Sequence, residues 1–82
     1  MNAVKVQQAI MEKLAAILRV RESEVDMSCS LAEAGLDSLG YGELASFLHS
    51  EFGVTVSPET LFELSTINGL VDHVLERRSP KA

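Results

Sequence analysis

The sequence predicts an all-α fold, a small four-helix bundle with three longer helices, one short helix and a long ordered loop between the first two. Three observations carry that prediction. Apolar residues recur at helical spacing in three separate stretches, with no sustained strand-like alternation. The 82-residue chain is 46% hydrophobic but holds no Trp, one Tyr and three Phe, so burial rests on many aliphatic side chains. Capping residues stand where the apolar stripes begin and end.

The first helix starts near Val6, from which Ile10, Leu14, Ile17 and Leu18 follow at helical intervals until the pattern fades over residues 19–24. The second long helix covers about residues 38–52, where Tyr41, Leu44, Ala45, Leu48 and Phe52 form a stripe closed by Gly53, a residue suited to a left-handed C-terminal cap. Ser57, Pro58 and Glu59 then supply an N-cap, a first-position proline and a first-turn acid. Only Leu61, Phe62 and Leu64 follow before Ser65 and Thr66, so this helix is one or two turns long. Thr66 caps the last helix, whose Ile67, Leu70, Val71, Val74 and Leu75 match the i, i+3, i+4, i+7, i+8 template and which ends near Arg77 and Arg78.

The connection over residues 21–37 is long for a small bundle. Val25, Met27, Leu31 and Leu36 give it apolar residues with which to grip the core, so it is expected to be ordered. Ser30 and Glu33 have capping-box spacing, which predicts a helical turn over 31–34 terminated by Gly35. One domain over residues 1–82 is expected, with its core at about 4–78 and a polar tail at 79–82. The start at Met1 and that tail suggest a free-standing protein, although an excised domain has the same look.

Charge and composition exclude several functions. All seven Lys and Arg lie near the two ends, whereas residues 22–76 hold eleven of the twelve acids and no Lys or Arg, a formal charge of −11. Nucleic-acid binding through a basic surface is disfavoured, because phosphates need Lys or Arg to neutralise them, and basic protein partners are favoured instead. The single Cys29 forms no internal disulfide, in keeping with a reducing compartment. Residues 1–18 mix charged and amide side chains among the apolar ones, so neither a signal peptide nor a membrane span is expected there, and the expected location is the cytoplasm.

The informative segment is Gly35-Leu36-Asp37-Ser38-Leu39, where the long loop meets the second long helix. A serine at a helix N-terminus lies among free backbone N–H groups at the positive end of the helix dipole, a setting that accommodates a phosphate. Local sequence alone favours a plainer role, with Ser38 or Asp37 acting only as an N-cap.

Wider context adds a resemblance. Gly35-Leu36-Asp37-Ser38-Leu39 followed by Glu43-Leu44 resembles the acyl carrier protein signature, in which the serine after the aspartate is esterified by 4′-phosphopantetheine. Phe52-Gly53-Val54, Leu61-Phe62-Glu63, Thr66-Ile67 and Leu70 resemble the second half of carrier domains from polyketide and hybrid polyketide/nonribosomal peptide assembly lines. The likeness runs from about residue 31 to 75.

What the resemblance implies is tethering rather than catalysis. A phosphopantetheinyl transferase moves the arm from coenzyme A to Ser38, beside Asp37 and Leu39, and acyl groups ride its thiol as thioesters to partner enzymes. Asp37 either helps the modifying enzyme recognise the site or is a solvated first-turn acid. Asp37, Leu39, Gly40, Glu43 and Glu63, extended by Glu59, are the expected docking residues for basic patches on ketosynthases, acyltransferases, acyl ligases or condensation-type enzymes. At about 100° per residue, Glu43 points away from the Tyr41, Leu44 and Leu48 stripe. Glu22, Glu24 and Asp26 are read as solvated, and a monomer is expected.

Two features depart from the family pattern. Gly40 and Gly42 flank Tyr41 where carrier proteins often have bulkier residues, which predicts a softer helix start and a flatter surface beside Ser38. Either that surface admits a partner side chain or the acyl arm closely, or the helix merely tolerates the weakening. Ser65 stands where assembly-line carriers often have Pro.

An enzyme reading lacks support, since Ser38 misses the Gly-x-Ser-x-Gly elbow by one residue. His49, His73 and Cys29 lack metal-ligand spacing, so no metal is expected, and Cys29 is read as an inert loop thiol. Two alternatives remain: a peptidyl carrier for aminoacyl groups, against which the Asp before the serine leans, and an acidic interaction module without a prosthetic group.

Overall fold

The computed structural model describes residues 3–77. Its helices are α1 (Ala3–Leu18), α2 (Leu31–Ala34), α3 (Ser38–Phe52), α4 (Pro58–Glu63) and α5 (Ile67–Arg77), with a 3-10 turn at Glu22–Glu24 and no strand among the described residues. The expected helix end at Arg78 and the tail 79–82 lie outside the described residues.

Each long helix turns the expected stripe inward. Val6, Ile10 and Leu14 of α1, Tyr41, Leu44 and Leu48 of α3, and Ile67, Leu70, Val71 and Val74 of α5 share one core with Leu31, Leu36 and Leu61. Val54 and Val56, in the extended segment between α3 and α4, complete it. The end of α1 carries no glycine signal: Arg19 itself adopts the left-handed conformation (φ 61°).

The long connection is ordered because its backbone serves a distant helix. The carbonyls of Cys29 and Met27 accept hydrogen bonds from the amides of Ile67 and Asn68, both at 2.9 Å. Those amides open α5, and its next free donor, the Gly69 amide, reaches Thr66 Oγ1 at 2.9 Å. The predicted capping box forms in full: the Glu33 amide donates to Ser30 Oγ and the Ser30 amide to Glu33 Oε1, each at 3.0 Å. Gly35 then ends α2 at φ 103°. These turns deliver the chain to α3 at a defined angle, with Leu36 buried behind it.

Candidate functional site at the start of the third helix

Asp37 is the N-cap of α3: its backbone is extended (φ −103°, ψ −178°) and its Oδ1 accepts from the Gly40 amide at 2.9 Å. Ser38 is the first helical residue and is exposed. Because Asp37 does the capping, the Ser38 hydroxyl is not consumed by it, and among the described residues it has no hydrogen-bond partner. The amides of Ser38 and Leu39 have no acceptor within the helix, so an oxyanion attached to Ser38 meets unpaired donors and the positive end of a 15-residue helix. An accessible hydroxyl in that field fits a phosphate-linked prosthetic group.

An open groove of about 650 Å³ runs from Ser38 along α3. Leu39, Gly42 and Glu43 line it beside Ser38, and Leu39 is 76% exposed. Phe47, farther along α3, and Lys13 of α1, whose Nζ lies 5.6 Å from the Phe47 ring centroid, line it as well. Sequence reasoning missed both residues. Phe47 lies outside the core stripe of α3, and Lys13 is 25 positions before Ser38, so no local pattern couples them.

The groove therefore brings together Ser38, Leu39 and Glu43, but not every expected docking residue. Glu63 and Glu59 are exposed on α4, outside the groove lining. Phe62 of α4 packs edge-on against Tyr41 with ring centroids 6.1 Å apart, yet remains 67% exposed. No local signal marks it, because neighbours on a helix lie only about 100° apart and adjacent Leu70 and Val71 are both buried. Gly40 requires a correction, because it is buried and offers no surface for a partner. Its missing side chain faces Leu36, whereas Gly42 is the open position.

The rejected candidates stay scattered. His49 is exposed with Nδ1 3.4 Å from Thr55 Oγ1, and His73 Nε2 accepts from Arg77 Nε at 3.4 Å on a different helix. No cluster of metal-ligating side chains occurs among the described residues, and no helix there is long and apolar enough to cross a membrane. Partial burial, reinforced by Asp26 and Glu33, holds the Cys29 thiol above its usual range, which disfavours the nucleophilic thiolate.

Comparison with known proteins agrees with this geometry. A family model described as "Phosphopantetheine attachment site" matches residues 8–74, from α1 to α5. The chain is 36% identical over 76 residues to phthioceranic/hydroxyphthioceranic acid synthase of Mycobacterium tuberculosis, covering 93% of this chain and 3% of that protein. It is 36% identical over 73 residues to the non-reducing polyketide synthase mapC of Penicillium brevicompactum, covering 89% and 3%. Against the highly reducing polyketide synthase VdtX of Byssochlamys spectabilis it is 35% identical over 54 residues, covering 66% and 2%. The chain thus spans about 3% of the length of the first two relatives. Since the matched residues include the capped start of α3 and nearly the whole helical core, the chain belongs to the phosphopantetheine attachment site family, non-catalytic carrier domains that bear 4′-phosphopantetheine.

Proposed function

We propose that this domain carries acyl groups for polyketide or hybrid polyketide/nonribosomal peptide assembly, with Ser38 as the attachment residue. One observation supports this above the others: Asp37 takes the capping role, and so leaves the Ser38 hydroxyl exposed and, among the described residues, without a hydrogen-bond partner at the head of α3. The attached group supplies a thiol on a flexible arm, to which acyl cargo is bonded.

The chain's own part in modification is to present a nucleophile. Ser38 Oγ bonds to the phosphorus that carries pantetheine in coenzyme A; the P–O bond of the pyrophosphate breaks, and adenosine 3′,5′-bisphosphate leaves. The serine proton passes to a base of the phosphopantetheinyl transferase. The amides of Ser38 and Leu39, which lack an acceptor within the helix, would help hold the charge of the phosphodiester. Leu39 supplies an apolar knob beside the attachment point and Glu43 a charge for basic patches on ketosynthases, acyltransferases, acyl ligases or condensation-type enzymes. The named polyketide synthases among the relatives favour acyl over aminoacyl cargo.

Incubation with coenzyme A and a broad-specificity phosphopantetheinyl transferase, followed by intact mass measurement, tests the assignment. Wild type is expected to gain one phosphopantetheine and Ser38→Ala none. An unmodified wild type, or an addition that persists in Ser38→Ala, defeats it.

A further inference from the structure

We propose that Gly40 is a positioning residue for Ser38. Its lack of a side chain lets Leu36 close beneath the first turn of α3 and keeps Asp37 on its cap, so that the attachment hydroxyl is held in one geometry. The inference rests on the reading of Ser38 as the attachment residue and deepens it.

The two glycines of this turn look alike in sequence and differ in space. A Cβ on Gly42 meets nothing within 4 Å. A Cβ on Gly40 would stand 2.7 Å from Leu36 Cδ1 and 2.9 Å from Leu36 Cγ, separations at which something must move. Leu36 is only 7% exposed and belongs to the core, so it yields only by disturbing its neighbours. The same Cβ would lie 3.3 Å from Asp37 Oδ1, the atom that accepts the Gly40 amide at 2.9 Å. A methyl group at position 40 therefore forces the Leu36 side chain to move and presses on the capping carboxylate of Asp37, the two residues that precede Ser38. Ser38 is bonded directly to Asp37, so displacing the cap displaces the hydroxyl. Phosphoryl transfer needs that oxygen in line with the leaving group, and a shift of about 1 Å costs up to about a hundredfold in rate. Leu39 and Glu43 remain on the outer face to dock the transferase.

The experiment compares wild type, Gly40→Ala, Leu36→Ala and the double variant, by steady-state phosphopantetheinylation with coenzyme A and a transferase. Amide hydrogen exchange at residue 40 is measured in parallel. Gly40→Ala is expected to lower kcat at least about tenfold with KM for the carrier within about twofold. The residue 40 amide should lose protection as the cap loosens. In the Leu36→Ala background, where the atoms at 2.7 and 2.9 Å are absent, the Gly40→Ala step should cost less than about twofold. That background also decides the matter if Gly40→Ala alone does not fold. Gly40→Ala modified at the wild-type rate, or an equal penalty in both backgrounds, overturns the positioning role while leaving Ser38 as the attachment residue. An unmodified wild type overturns the attachment reading itself, and this inference with it.

Discussion

At Asp37 the carboxylate bonds the Gly40 amide at 2.9 Å, and the hydroxyl next to it stays available for chemistry. Had Ser38 been the cap, its oxygen would have been occupied by a backbone donor and withdrawn from the surface. Cys29 shows the opposite use of environment. Its Sγ lies 3.1 Å from the Asp26 carbonyl, and partial burial, with the charges of Asp26 and Glu33, raises the thiol above its ordinary value of 9.0. The folded chain therefore keeps that proton to higher pH than the unfolded chain, and stability falls as pH rises beyond the unfolded value. A thiol reagent at about pH 8 should label native Cys29 more slowly than the urea-unfolded chain, and equal rates would contradict the shift. Asp26 has the reverse sign: bonds from the Ser28 hydroxyl and amide lower it, so its contribution is present above the unfolded value of 3.8 and is lost on acidification.

Among the elements, α3 combines a rigid start with a weak second residue pair. Asp37 and Gly53 cap its two ends, and Gly53 at φ 70° donates back to His49 and Leu48. Within it, Gly42 adds backbone freedom without any compensating close contact. Gly42→Ala is therefore expected to stabilise the fold by about 0.5–1 kcal/mol, read as a higher urea midpoint at unchanged slope. No gain would mean that the methyl group meets an obstacle the open surface does not show. The softness expected for both glycines thus belongs to Gly42 alone, since Gly40 serves tight packing against Leu36.

For the molecule as a whole, the acidic middle of the sequence does not translate into a uniformly acidic groove beside Ser38. Glu43 is the acid that lines the groove beside Ser38, and Lys13 of α1 lines the same groove. An acid beside a lysine has a larger share in steering a basic partner than one within a uniformly acidic face, although its pairing contributes little to stability. Glu43→Lys should lower partner turnover several-fold at low salt and less at high salt, while leaving stability within about 0.5 kcal/mol. Turnover unchanged at low salt would remove Glu43 from the docking surface.

The sequence by itself determined the bounds of α2 and α3 and the starts of α4 and α5, and pointed to the candidate site, whereas α1 begins at Ala3, ahead of the expected Val6, and ends without a glycine. Ser30 with Glu33, Gly35, Gly53 and Ser57 with Pro58 act through bonds and dihedrals within four residues, so their chemistry is readable from neighbours alone. The Asp37-Ser38 pair was legible for the same reason, though which of the two capped α3 was not, because both side chains suit the role. Only the tertiary structure decided that Gly40 is buried against Leu36, that Lys13 and Phe47 wall the groove, and that Met27 and Cys29 bond the start of α5. Each of these depends on how the chain is brought back on itself, a distance or an angle between elements that no local periodicity encodes.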